Sequence, residues 1–277
     1  MSVLLGLLTA LAYGSGDFLG GSASRRASTV AVLLLAQACA FVGAIAYALL
    51  FGGEGAARDL ALGAVAGGLN VTALGFLYQG LATGRMGVVA PVTAVVGSLV
   101  PIAWGLGNGE RPSTIAFVGV GCAIVAGGLI ARERDIGGDV STARAVQWAI
   151  LAGVGFGSSF VFYAETSKDS GFWPVLAGRS VALPLVLVFA LVTRAAIEMG
   201  RSERRLAVTA GALDVTGTAL LLLAVRRGLT AVVAPIAALA PAFTVGLAWL
   251  IVHEPIARSQ VAGLALACVG LALIAGG

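Results

Sequence analysis

The sequence predicts an all-α membrane protein with ten transmembrane helices in two inverted five-helix repeats, and three observations predict it. The chain of 277 residues is 59% hydrophobic and only 11% charged, whereas soluble domains carry about 25% charged residues. Its apolar residues fall into runs of about 18 to 23, the length a helix needs to cross roughly 30 Å of hydrocarbon at 1.5 Å per residue. The stretch from Leu60 to Ala131 also recurs without a gap as the stretch from Arg204 to Ala275. Val88-Val89-Ala90-Pro91 falls on Val232-Val233-Ala234-Pro235, Asn70 on Asp214, Glu110 on Glu254 and Gly119 on Gly263. Five crossings per half is an odd number, so the second copy enters the membrane inverted relative to the first.

The first span runs from Leu4 to Gly20. It lacks a basic leader, and its Tyr13-Gly14-Ser15 corresponds to Phe156-Gly157-Ser158 of the sixth span, so it reads as a retained helix and not as a cleaved signal. The second, Thr29 to Phe51, is apolar except for Gln37. The third, Leu60 to Leu81, carries Asn70 near its middle, and the fourth, Gly87 to Leu106, contains Pro91 and Pro101. The fifth runs from Ser113 to Ala131. A charged connection, Arg132 to Arg144, then separates a first repeat over residues 1–135 from a second over 145–277. The sixth span is Val146 to Glu165, and the seventh, Phe172 to Thr193, places Arg179 about two turns inside. After the polar Arg194 to Arg205 come the eighth span, Leu206 to Val225 with Asp214 near its centre, the ninth, Thr230 to Val252 with Pro235 and Pro241, and the tenth, Gln260 to Gly276. No soluble domain fits between them.

Several function classes drop out. The cysteines Cys39, Cys122 and Cys268 sit inside apolar runs at unrelated spacings, so they read as packing residues without a metal or disulfide role. The single histidine, His253, is followed by Glu-Pro, which cannot make a zinc-binding His-Glu-x-x-His helix, and no P-loop is present. Catalysis, a bound cofactor and ATP-driven transport are therefore not expected. The net charge of +4 does not point to nucleic acid, because the basic residues are scattered over short loops without interleaved aromatics. Eleven of them follow odd-numbered spans (Arg25, Arg26 and Arg85 among these) and five follow even-numbered ones, so the positive-inside rule puts both termini outside the cytoplasm. The Arg-rich, Ala- and Gly-rich composition suggests a prokaryotic plasma (inner) membrane, crossed many times.

Charged and amide groups within the spans are the candidate site. A charge at mid-bilayer costs about 2.5 to 3.5 kcal/mol on insertion scales, so Asp214 is expected to face a cavity or a partner. It has a substrate, proton or gating role, or it is a packing carboxyl paired with Arg179. Arg179 lies too deep to snorkel easily; it either clamps a substrate carboxylate or phosphate through its planar fork or neutralises Asp214. Asn70 is the repeat mate of Asp214, giving a neutral amide opposite an ionisable acid. Gln37 either lines the cavity or joins helices by a hydrogen bond worth about 0.6 kcal/mol. Asp17, with Tyr13 one turn before it, is a second buried-acid candidate or a solvated helix end, and for Glu165 the solvated end is the better reading. The matched Pro91 and Pro235 free backbone carbonyls and are candidate hinges or cavity-shaping kinks. Trp104 and Trp249 read as interfacial anchors.

An internal repeat in a hydrophobic chain is the usual signature of a secondary transporter whose site lies between its halves near mid-membrane. The segments Gly84-Arg85-Met86-Gly87-Val88-Val89-Ala90-Pro91 through Gly109-Glu110-Arg111-Pro112, and Gly228-Leu229-Thr230-Ala231 through His253-Glu254-Pro255, resemble the EamA-type branch of the drug/metabolite transporter superfamily. The resemblance covers essentially the whole chain and implies transport of amino acids, other metabolites or drugs, with both termini cytoplasmic, against the arginine count. Family members often carry an arginine in the second helix, where this chain has Gln37; the matching position in the seventh helix is Arg179. The expectation is an alternating-access secondary transporter exporting a small polar, amino-acid-like metabolite, with protons as a coupling ion. A cation or multidrug exporter, and a non-transporting scaffold or receptor-like membrane protein, are the alternatives.

Overall fold

A computed structural model of the chain describes residues 2–109, 113–131, 140–227, 240–254 and 258–276. The described residues are helical almost throughout and contain no strand. In chain order the helices are α1 (Ser2–Ser24), α2 (Thr29–Phe51), α3 (Ala57–Thr83), α4 (Met86–Gly107), α5 (Thr114–Ala131), α6 (Val140–Ala164), α7 (Trp173–Thr193), α8 (Arg201–Arg227), α9 (Ala240–Leu247) and α10 (Arg258–Gly276). A 3₁₀ turn, Lys168–Ser170, precedes α7, and a π-helical turn, Ala248–Val252, continues α9.

Local chemistry sets several helix ends. The second helix stops at Gly52, whose φ of 62° with ψ of −152° is a positive-φ conformation open to glycine, which has no Cβ to clash. The seventh starts Trp173-Pro174, with proline in the first turn where no backbone N–H is needed. Asp59 and Glu203 each place a carboxylate in the positively polarised first turns of α3 and α8. These two helices extend beyond the predicted apolar runs because their polar first turns are helical as well. The first helix also outruns its predicted end at Gly20 and continues to Ser24.

Among the described residues, six helices are long and apolar enough to cross a membrane: α2, α3, α4, Ala143–Ala164 of α6, α7 and Arg201–Ala224 of α8. Their outer faces are apolar too. Leu50 is 76% and Val192 77% exposed, and Leu49, Leu191, Val188 and Phe189 are exposed beside them. Each such side chain forgoes about 1.5 to 3 kcal/mol of burial if it faces water. A bilayer removes that penalty, so the exposed apolar surface and the helix lengths describe one multi-pass membrane protein.

Helices pack by close backbone approach at small residues. A Cβ on Gly67 of α3 would lie 2.2 Å from the Cα of Gly178 on α7, and one on Gly211 of α8 would lie 2.2 Å from the carbonyl oxygen of Ala36 on α2. Gly67 and Gly211 are matched positions of the sequence repeat. The pattern recurs at α1 and α6. Gly14 abuts Ala240 and Phe243 of α9, while Gly157 abuts Gly97 and Val100 of α4; Gly16 faces Ala210 of α8, and Ser159 donates to the carbonyl of Ala66 on α3 at 2.8 Å. Each helix thus meets its main neighbours in the other half of the chain. Van der Waals contact of this kind is what holds helices together where lipid is as apolar as leucine.

Candidate functional site

The centre of the described bundle holds one buried cation. Arg179 on α7 is 6% exposed. Its Nη1 donates to Gln37 Oε1 on α2 at 2.9 Å, and its Nη2 donates to Asp214 Oδ2 on α8 at 2.5 Å. One guanidinium therefore ties three helices from both halves of the chain. The glycine crossings position it: Gly178, the residue before Arg179, lies against α3, and Ala36, the residue before Gln37, lies against Gly211, one turn before Asp214. Close approach at those pairs brings the three polar side chains within reach of one another.

Charge balance favours this arrangement. A buried guanidinium without a counter-ion is strongly unfavourable, and the Asp214 carboxylate supplies a charge-assisted bond roughly twice as strong as a neutral one. Gln37 presents its carbonyl oxygen, the only acceptor an amide has for a guanidinium donor. Two of five guanidinium N–H groups are satisfied in this way. The Nε of Arg179 is buried and has no acceptor among the described residues, and Asp214 keeps 21% of its side chain exposed. The pair is closed on one side and available on the other.

The first helix completes the surroundings. Gly16 lies against Ala210, Leu213 and the backbone nitrogen of Asp214, so α1 crosses α8 at the level of the acid. Tyr13 donates its hydroxyl to Thr218 Oγ1 at 3.0 Å, and Thr218 donates to the carbonyl oxygen of Asp214 at 3.0 Å. Tyr13 and Asp17 are four residues apart and so share a face of α1, as Asp214 and Thr218 share a face of α8. With α1 running to Ser24, Asp17 sits about two turns inside the helix and not at its end. It is half-buried, within electrostatic range of Asp214, and makes no hydrogen bond or ion pair with another described residue.

The candidate residues thus divide. Arg179, Asp214 and Gln37 are in direct contact; Tyr13 and Asp17 approach from α1. Asn70 is half-buried in α3 and makes no hydrogen bond with another described residue. Pro91 is buried within α4, which continues helically through it and through Pro101. Pro235 lies outside the described residues, as do Glu110, Arg111 and Pro112. Glu165 is exposed at the end of α6, where Arg58 approaches it at 3.9 Å, and Trp104 and Trp249 are exposed near helix ends.

Sequence reasoning missed Thr218 and Tyr163. The first was within reach, because it stands one turn from Asp214 on the same face. The Tyr163 hydroxyl fills the space over Gly178, 2.4 Å from where a Cβ would stand, and no sequence signal marks a tyrosine on α6 as the neighbour of a glycine on α7.

Residues 143–276 match the EamA-like transporter family. A protein of known crystal structure is 18% identical to this chain; the alignment covers 98% of this chain and 95% of the other, with a TM-score of 0.63, a likeness of fold alone. No curated protein sequence matches the chain.

Proposed function

We propose that the chain, whose residues 143–276 match the EamA-like transporter family, is a multi-pass membrane transporter of the drug/metabolite superfamily that exports a small polar, amino-acid-like metabolite by alternating access. The EamA-like family is a transporter family and not an enzyme family. In this reading the chain has ten spans in two inverted five-helix repeats, crosses a prokaryotic plasma membrane, and uses protons as its coupling ion. The reciprocal crossings, Gly67 on Gly178 and Gly211 on Ala36, support the repeat, since matched positions of the two copies make matched contacts.

The observation that carries the substrate reading is the pair of unmet valences at the site. Arg179 Nε is a buried donor without an acceptor among the described residues, and Asp17 is a half-buried acid without a donor among them. The Arg179–Asp214 pair is neutral by itself. A ligand carrying both a carboxylate and an ammonium group would satisfy both valences and leave the site's charge unchanged, which is the chemistry of a zwitterionic amino acid. One observation favours the cation-exporter alternative: Asp17 leaves the site with an excess acid that a proton or an organic cation alone could neutralise.

A thermal-shift screen of the purified protein against amino acids, nucleobases and organic cations separates these readings. Amino acids are expected to raise the melting temperature, and Asp17→Asn should abolish the rise while leaving the unliganded melt in place. Stabilisation by organic cations without any by amino acids would replace the metabolite reading with the cation one. If no class stabilises the protein and proteoliposomes show no flux, the transport reading fails.

A further inference from the structure

Glu254, marked by the sequence repeat as the mate of Glu110, has no part in the central site. It follows the π-helical turn after α9, at the end of the molecule where α1 finishes and α4 begins. Its Oε1 accepts from Arg25 Nη2 at 2.6 Å, and its Oε2 accepts the backbone N–H of Met86, the first residue of α4, at 2.9 Å. Both carboxylate oxygens are engaged, and only 14% of the side chain is exposed. Arg25 in turn donates Nε to the carbonyl of Leu81 at 3.0 Å and Nη2 to that of Gly84 at 3.1 Å. These two carbonyls belong to the end of α3 and the turn that leads to α4.

We propose that Arg25 and Glu254 form a latch that holds this end of the transporter closed and must release during each transport cycle. All the latch's anchors but one belong to the first half: Arg25 after α1, the α3–α4 turn and the N-terminus of α4. The exception is Glu254, the second half's single contribution. Its carboxylate sits at the positively polarised start of α4, where backbone N–H groups lack helical acceptors, and it also meets a guanidinium already fixed by two carbonyls. Separating the halves at this end breaks the two bonds of Glu254 and exposes its carboxylate and the Met86 N–H to water, while Arg25 stays held by the carbonyls of its own half, so the latch favours the closed arrangement while allowing the open one. Unlike the close apolar contacts of Gly14 with α9, which fix where the helices cross, a water-edge charge pair can break and re-form.

The proposal rests on the alternating-access reading, and its test reads conformation and not flux. Met86 is completely buried beneath the latch, and a cysteine there reacts with a maleimide only when this end opens. With Cys39, Cys122 and Cys268 replaced by alanine in the full chain, Met86→Cys should label slowly. Adding Glu254→Gln should accelerate labelling about tenfold, the effect expected from losing one charge-assisted contact between two states. Arg25→Lys keeps the charge but cannot reach both carbonyls, and should accelerate labelling less than Glu254→Gln. If Glu254→Gln lowers the melting temperature enough to obscure the result, Arg25→Lys decides. A labelling rate within twofold of the parent in a folded variant overturns the latch, even if the parent transports; acceleration in both variants upholds it, even if no substrate has been found.

Discussion

At the scale of single residues, Arg179 governs the others because it is the charge that cannot be left alone. The geometry pairs it with Asp214 and adds Gln37 as a neutral acceptor, so the packing reading of Asp214 and the functional one are compatible: the same carboxylate neutralises Arg179 and keeps one face open. Breaking a buried pair from one side strands the other charge and costs about 3 to 5 kcal/mol. Arg179→Gln and Asp214→Asn should therefore each lower the melting temperature in detergent, and the double variant should recover much of the loss, giving a strongly non-additive cycle. Additive losses would show that the contact carries no energy in solution. Asp214→Asn combined with Arg179→Gln should still fold and yet fail to transport in proteoliposomes, since the guanidinium with its unmet Nε donor and the partly exposed carboxylate are both gone. Full flux in that double variant would remove the pair from the mechanism.

At the scale of elements, the glycine crossings place the site. A methyl group on Gly67 would sit 2.2 Å from the backbone of Gly178, a contact only a shift of α3 against α7 can relieve, and that shift would carry Arg179 with it. Gly67→Ala should cost about 1 to 3 kcal/mol, the usual range for overpacking, and should weaken substrate-dependent stabilisation beyond the loss in fold stability. Gly246→Ala on α9 is the control, because a Cβ there meets no atom of another described residue within 4 Å; helix propensity alone predicts a gain of up to about 1 kcal/mol. Comparing the two melts, with and without ligand, distinguishes a positioning role from a generic dislike of substitution. The same elements explain what was legible in the sequence. Charge in an apolar run exposed Arg179 and Asp214, and repeat register marked Glu254 and the Pro91 and Pro235 pair, since both signals are one-dimensional. The depth of Asp17 was not legible: the small residues from Gly20 to Ser24 look like a break but continue α1, because Gly20 and Gly21 are needed where Tyr78 and Leu81 crowd that helix. Tyr163 over Gly178 and the bond from Arg25 to Glu254 join residues far apart in sequence, and only packing reveals them.

At the scale of the whole molecule, the two ends of the bundle differ in charge and in fastening. One end gathers Arg25, Arg26, Arg85, Arg144, Arg194, Arg201, Arg204, Arg205 and Arg258 around the ends of α1, α3 and α7 and the starts of α6, α8 and α10, and it holds the latch at Glu254. The other joins the α2–α3 and α6–α7 connections directly: Trp173 donates to the carbonyl of Gly53 at 3.0 Å, Glu54 N–H to that of Asp169 at 2.9 Å, and Ser170 to the buried Asp59. Cytoplasmic loops retain arginine because short basic loops translocate poorly. The basic, latched end is therefore expected to face the cytoplasm, with both termini outside. Under that orientation the proposed exporter, with its latch closed, would have its central site shut off from the cytoplasm, and Arg25 and Glu254 would control substrate entry. Fusing alkaline phosphatase or green fluorescent protein to the C-terminus tests this directly. Phosphatase activity without fluorescence is expected. Bright fluorescence without phosphatase activity would reverse the orientation, turn the latch into the release gate, and require the five basic residues that follow even-numbered spans in the sequence to outweigh the eleven that follow odd-numbered ones. Charge counting along the loops would then be a poor guide in this chain, and helix insertion would have to be governed by the apolar strength of the spans themselves.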